Sequence, residues 1–221
     1  MKWGEILVLP NIITCINLLF GFFAISAILE GQLKTASLFI LAAVLVDASD
    51  GIVARKLSKA SSFGKELDSL ADLVSFGVAP AFLVYNAFLL DLGNLGLALS
   101  SIHLLAGAFR LARFNVEYSP KGFLGLPVPA CGGLYAGLVY PEIILGKGVI
   151  LLILASLSIL MMSSVPYPKI GSSNLSRVKN NALIFALTVS SLIVLVQKEL
   201  LFLPFMVYVF FGLALSFQQE V

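Results

Sequence analysis

The stretch DASDGIVARKLSKASSFGKELDSLAD, residues 47–72, places four aspartates, Asp47, Asp50, Asp68 and Asp72, between two long apolar runs. Each run is long enough to cross a bilayer, so the carboxylates sit at or just inside a membrane boundary. A charge at the centre of a spanning helix costs about 2.5–3.5 kcal/mol on insertion scales, which makes a carboxylate there a functional-site candidate by default. Four together need a compensating partner, and a metal ion is the obvious one.

The rest of the chain is as apolar as those runs. Of 221 residues, 59% are hydrophobic and only 12% charged, with a mean hydropathy of +1.02. A soluble domain carries roughly 25% charged residues. The expected fold is therefore all-α, a single integral-membrane domain over residues 1–221. The apolar runs are continuous, which argues against a β-barrel, whose strands would alternate. A net charge of +2 gives no reason to expect nucleic acid. Cys15 and Cys131 lie far apart inside apolar runs, as buried small hydrophobes do and disulfide or zinc frameworks do not. The first apolar run follows Lys2 and contains Ala24-Ile25-Ser26, but it carries Pro10, Asn11 and Asn17 and extends to about residue 29. That exceeds the ~7–15 apolar residues of a secretory signal, so it reads as a retained first span.

Residues 1–9, with Trp3 between Lys2 and Glu5, suit a short helix lying in the membrane interface. Eight spans are expected after it: Pro10–Leu29, Leu33–Lys56, Glu66–Leu90, Asn94–Asn115, Pro127–Leu145, Gly148–Val165, Asn181–Gln197 and Leu200–Phe217. With the N-terminus in the cytoplasm, that side holds Lys2, Arg55, Lys56, Lys59, Lys65, Arg110, Arg113, Lys121, Lys169, Arg177 and Lys179. The other side holds Lys34, Lys147 and Lys198 alone. This asymmetry puts both termini and the aspartates at the cytoplasmic face of a cell membrane. Spans two and three form a hairpin joined by a Lys56–Lys65 turn, and the Pro166–Asn180 loop opens on the same side. No repeat or second domain is evident.

Asp47 and Asp50 are three residues apart, Asp68 and Asp72 four apart, and on helices both spacings project from one face. Two adjacent helices would gather the four into one cup. Hard, oxygen-only ligands suit Mg²⁺ or Mn²⁺, and four carboxylates could hold two ions in the arrangement that supports phosphoryl displacement. Gly51 and Ala54 share the helix stripe of Asp47 and leave space for a bulky group. Arg55 offers a guanidinium suited to a diphosphate, and Gly64 lets the turn approach a ligand closely. The competing readings are a buried charge network or the pathway of a divalent-cation transporter.

The full pattern D-x-x-D-G-x-x-A-R-x8-G-x-x-x-D-x-x-x-D, met by Asp47, Asp50, Gly51, Ala54, Arg55, Gly64, Asp68 and Asp72, resembles the signature of the CDP-alcohol phosphotransferase family. The resemblance implies an enzyme that binds a CDP-linked lipid or alcohol, lets a second alcohol attack the β-phosphorus, and releases CMP. It implies that the aspartates hold the metals, that Asp72 is also the general base, and that Gly51, Ala54 and Arg55 lie against the diphosphate. It further implies a six-helix core, which over residues 10–165 would leave 181–217 as two additional helices, and a homodimer.

Three further strings narrow the acceptor: LVSFGVAPA (Leu73–Ala81), RLARFNV (Arg110–Val116) and FLGLPVPA (Phe123–Ala130). They look like the phosphatidylserine synthase branch, whose pattern archaetidylserine synthases share. The implied substrates are CDP-diacylglycerol or CDP-archaeol, with L-serine as acceptor. Serine is a zwitterion and needs a cation for its carboxylate. Arg110 and Arg113 share a helical face, with Asn115 close behind, and are the candidate serine ligands, one arginine for the carboxylate and the other for diphosphate or structural pairing. Glu66 is a candidate for the ammonium. Asn11, Thr14 and Asn17 form a polar stripe on span one, and a similar element lies near the nucleotide in the family, so Asn11 and Asn17 are candidate CDP contacts; helix packing is the alternative. His103 reads as a packed or hydrogen-bonded core residue. A phosphorylated acceptor, glycerol 3-phosphate or an inositol phosphate, is the alternative within the family and would want a denser cationic pocket.

Overall fold

The structure, a computed structural model, describes residues 9–57, 61–116, 123–167 and 177–217; the side chains of 50–57, 123, 177–180 and 215–217 fall outside the described part. The interfacial helix expected over residues 1–9 lies outside the described residues except for Leu9, as does most of the loop after Tyr167. The described helices are α1 (Leu9–Leu29), α2 (Leu33–Leu57), α3 (Ser62–Leu92), α4 (Asn94–Val116), α5 (Val128–Val139), α6 (Lys147–Met162), α7 (Arg177–Val196) and α8 (Leu203–Phe217). Two-residue strands β1 (Phe123–Leu124) and β2 (Pro166–Tyr167) pair antiparallel and tie the entry to α5 to the exit from α6.

By length and composition α1, α3 and α4 can each cross a membrane, while α5, α6 and most of α7 are shorter apolar helices. The outer face of α1 exposes Ile12, Ile16, Leu19, Phe22 and Phe23. Such a surface belongs to an integral membrane protein, in which helices satisfy their own backbone groups and lipid solvates the side chains.

Two boundaries differ from the sequence expectation. α3 begins at Ser62 rather than Glu66, because Ser61 is its N-cap and accepts the Gly64 N–H at 3.0 Å. Gly64 accordingly belongs to the first turn of a helix. α5 has only 12 residues and stops at Val139, not Leu145. Pro141 follows, with no N–H to continue the helical ladder, and the chain turns through Glu142 at φ 58°.

α3 changes its winding along its length. Directly after Asp72 the turns widen to π-helical over Leu73–Val78, tighten to α over Ala79–Val84, and widen again over Tyr85–Leu89. Pro80 cannot give an N–H to the carbonyl of Phe76, its α-helical partner. His103 Nε2 of α4 lies 2.8 Å from that oxygen and so carries the ring proton. The histidine is buried against Tyr135 of α5, ring centroids 5.0 Å apart. It is a core hydrogen-bonding residue, as the sequence indicates.

α1 packs along α2 and α3, α2 along α5, α4 along α6, and α8 against α5, α7 and β2. Small residues set these approaches. A Cβ on Gly21 of α1 would sit 2.8 Å from the Ser75 backbone, and one on Gly137 of α5 would sit 2.7 Å from the Phe202 backbone just before α8. At the start of α2, Lys34 pairs with Glu142 at 3.0 Å, Lys147 pairs with Asp91, and a cavity of about 540 Å³ opens between them. Asp47 lies 13 residues further along α2, roughly 20 Å at 1.5 Å per residue. The bundle therefore has two distinct polar ends.

Substituting Gly137→Val should push the Phe202 backbone off α5 and cost about 1–3 kcal/mol. Thermal unfolding in detergent should show a lowered midpoint; an unchanged midpoint would mean that this helix contact is not close in the membrane protein.

Candidate active site

The last turns of α2 and the first turns of α3 bring one carboxylate oxygen from each of Asp47, Asp68 and Asp72 within 4.8 Å of one another. Asp47 and Asp68 are half-buried, whereas Asp72 is only 7% exposed. The four-residue spacing of Asp68 and Asp72 keeps both on the face of α3 that meets α2. The side chains of Asp50, Gly51, Ala54 and Arg55 lie outside the described residues, though α2 carries their backbone to Leu57. Three converging carboxylates with no nitrogen or sulfur donor fit a hard divalent cation such as Mg²⁺ or Mn²⁺.

The polar stripe of α1 faces this cluster. Asn11, Thr14 and Asn17 are all at most 5% exposed. Thr14 Oγ1 donates to the Pro10 carbonyl at 3.1 Å. Asn17 Nδ2 donates to Asp72 Oδ1 at 3.2 Å, and its own Oδ1 is buried without a hydrogen-bond partner among the described residues. One turn further, Ser75 Oγ donates to the Asn17 carbonyl at 2.9 Å. Asn11 lies over Gly64, where a Cβ would come within 2.8 Å of its Oδ1. The missing side chain at Gly64 thus admits an asparagine of α1, and the same stripe that packs the helices also touches the carboxylates.

α4 supplies the cations. Arg110 is buried, 5% exposed, and its electrostatic neighbours include Asp72, Cys131 and Tyr208. Arg113 points elsewhere. It donates to the carbonyls of Met162 (3.0 Å), Ser163 (2.7 Å) and Leu124 (3.2 Å), capping α6 and holding β1. Gly125, at φ 75°, makes room for this clamp: a Cβ there would lie 2.3 Å from the Met161 carbonyl oxygen. Asn115 accepts from Ser69 Oγ at 3.2 Å and donates to Glu66 at 3.0 Å, while Lys65 Nζ reaches the Phe114 and Asn115 carbonyls. These bonds join the end of α4 to the start of α3. Of the two arginines, Arg110 is the one beside the carboxylates.

Tyr208 of α8 is an electrostatic neighbour of Arg110, Tyr167 of β2 packs against Tyr208, and sequence reasoning missed both. Their ring centroids are 6.0 Å apart. Tyrosines in an apolar span and beside a proline-rich loop carry no motif. Only the contact of α8 with β2 reveals them.

A family model described as CDP-alcohol phosphatidyltransferase matches residues 7–216. The chain is 37% identical over 163 residues to the CDP-diacylglycerol–serine O-phosphatidyltransferase of Bacillus subtilis, covering 72% of this chain and 89% of that protein. It is 42% identical over 166 residues to the protein of the same name in Methanocaldococcus jannaschii, covering 75% and 76%. With the archaetidylserine synthase of Methanothermobacter thermautotrophicus it shares 36% over 176 residues, covering 76% and 73%.

Mn²⁺ titration of the purified protein should separate the two kinds of polar residue. Asp68→Asn should weaken Mn²⁺ binding by about tenfold or more, since it removes one charged ligand, worth at least ~1.4 kcal/mol. Arg113→Gln should leave Mn²⁺ affinity unchanged and lower thermal stability by about 1–3 kcal/mol, because three carbonyls at the α6 terminus and β1 lose a charged donor.

Proposed function

The chain belongs to the CDP-alcohol phosphatidyltransferase family, and from that premise we propose that it transfers the phosphatidyl or archaetidyl group of a CDP-lipid to the hydroxyl of L-serine. The observation that carries this reading is the buried Asp72, clustered with Asp47 and Asp68 on one side and neighboured by the Arg110 guanidinium on the other. A carboxylate set for a diphosphate and a cation for an amino-acid carboxylate then meet at a single acid–base residue.

The serine hydroxyl oxygen forms a bond to the β-phosphorus as the bond from that phosphorus to the CMP oxygen breaks, and CMP leaves. Asp72 takes the hydroxyl proton. Asn17 holds Oδ1 of that carboxylate by its amide N–H and so leaves Oδ2 for proton transfer. Arg110 binds the serine carboxylate and orients the hydroxyl toward Asp72. Arg113 and Asn115, placed by the sequence in the same pocket, serve it by fixing the end of α4. Asn11, Asn17, Gly51, Ala54, Arg55 and Gly64 surround the CDP moiety, with Arg55 on the diphosphate. Mg²⁺ or Mn²⁺, as two ions on Asp47, Asp50, Asp68 and Asp72, would neutralise the diphosphate and stabilise charge on the transferred phosphoryl group when bound.

The topology suits the substrates. Eight spans with both termini in the cytoplasm put the aspartate end at the cytoplasmic face, where serine and CMP are soluble. The CDP-lipid enters sideways from the bilayer. A homodimer is the expected assembly.

Purified protein supplied with CDP-diacylglycerol or CDP-archaeol and Mg²⁺ or Mn²⁺ should release CMP with serine. CMP release with glycerol 3-phosphate or an inositol phosphate, and none with serine, would assign a different acceptor. Asp72→Asn should lower kcat by at least about 10²-fold, the lower range for a general base, while the protein stays folded and still binds CDP-lipid. Substantial retained turnover would refute the role of Asp72.

A further inference from the structure

The last two helices read in the sequence as apolar spans without further features, yet α8 packs against α5 and β2. Three glycines set its position. A Cβ on Gly133 of α5 would lie 2.2 Å from the Phe205 ring, and one on Gly137 would meet the Phe202 backbone at 2.7 Å. On α8 itself, a Cβ on Gly212 would lie 2.3 Å from the Tyr167 ring. At each contact the glycine leaves its side empty, so a ring or a backbone of the partner lies directly against it. This is a fixed contact in which little lateral movement is allowed.

The contact has a chemical result. Tyr167 is 2% exposed and its hydroxyl has no hydrogen-bond partner among the described residues. A buried phenol usually finds one, so an unpaired O–H inside a protein calls for an explanation. Its ring is tilted 30° against that of Tyr208, with centroids 6.0 Å apart. Tyr208 in turn is an electrostatic neighbour of Arg110, and Cys131 of α5 neighbours Arg110 and both tyrosines. Arg110 itself is buried beside Asp72. Two phenols, a guanidinium and a carboxylate thus collect between α3, α4, α5, β2 and α8, in surroundings that are otherwise apolar. The clamp of Arg113 on β1 and the α6 terminus, and the pairing of β1 with β2, hold Tyr167 in place.

We propose that Tyr167 and Tyr208 form the outer wall of the acceptor pocket and donate their O–H groups to the acceptor carboxylate held by Arg110. This inference rests on serine being the acceptor. A guanidinium alone satisfies part of a carboxylate. Each of its two oxygens accepts more than one hydrogen bond, and the remaining directions take neutral donors well. A phosphate monoester acceptor would bring a second negative charge into a pocket with one buried arginine and two neutral phenols. α8 is thereby a specificity element as well as a structural one.

The test is a kinetic split on the full-length protein. Wild type, Tyr167→Phe and Tyr208→Phe are compared for CMP release, varying serine at saturating CDP-lipid and the reverse. Removing a hydroxyl that donates to a carboxylate should raise the KM for serine by about tenfold or more. The KM for CDP-lipid and kcat should stay within about twofold of wild type. An unchanged serine KM in both variants, or equal rises in both KM values, overturns the proposal. A wild type that releases CMP with another alcohol but not with serine overturns the acceptor assignment and this inference together, and does so before any variant is compared.

Discussion

A carboxylate buried in an apolar helical bundle is the constraint to which the other features answer. Desolvating an unpaired charge is prohibitive, so Asp72 must be met by charges, hydrogen bonds or both. The structure meets it from four helices, its own α3 among them. α1 contributes the Asn17 amide, α2 and α3 contribute the carboxylates that could share a divalent cation with it, and α4 contributes Arg110. The result is a site in which carboxylates and a guanidinium meet at one buried residue. Its polar groups are positioned by packing rather than by solvent.

That positioning comes from backbone approach. Without a hydrophobic driving force between helices in lipid, small residues and short polar contacts set the distances. Gly21 against Ser75 brings α1 onto α3 within one turn of Asp72. Gly64 under Asn11 does the same at the other end of the stripe. The wide turns after Asp72 belong to the same arrangement. Pro80 lies just beyond them and leaves the Phe76 carbonyl to be met from α4 by His103. π-helical turns are rare and concentrate at functional sites. Here the widened segment starts at the residue after the proposed base, and links its helix to both α1 and α4.

How far the site could be read from residues alone depended on the range of the contacts. Asp47, Asp68 and Asp72 were legible because i, i+4 spacing on one helix and a short connection to the next already bring carboxylates together. The separate fates of Arg110 and Arg113 were not. They are three residues apart on one face, and their roles diverge only because the α6 terminus and β1 lie beside Arg113. Asn115 reads as a ligand in sequence and is engaged by Ser69 and Glu66 in the structure. The short α5 was misjudged from its apolar length, since Tyr140-Pro141 ends the helix inside the hydrophobic run. Tyr167 and Tyr208 were invisible, being 41 residues apart by numbering and brought into ring contact only where Gly212 lets β2 lie against α8.

By itself, then, the sequence determined the all-helical membrane class, the order of the helices, and the eight-position pattern that names the family and its carboxylates. All of these rest on local periodicity or on fixed spacing, which a linear chain displays directly. Tertiary structure alone decided that Asn17 holds Asp72, that Arg110 rather than Arg113 stands beside it, and that α8 reaches the site. Those are contacts between distant segments, set by which glycines let which backbones approach. The stretch DASDGIVARKLSKASSFGKELDSLAD carries the carboxylates, while α1 and α4 bring Asn17 and Arg110 to Asp72.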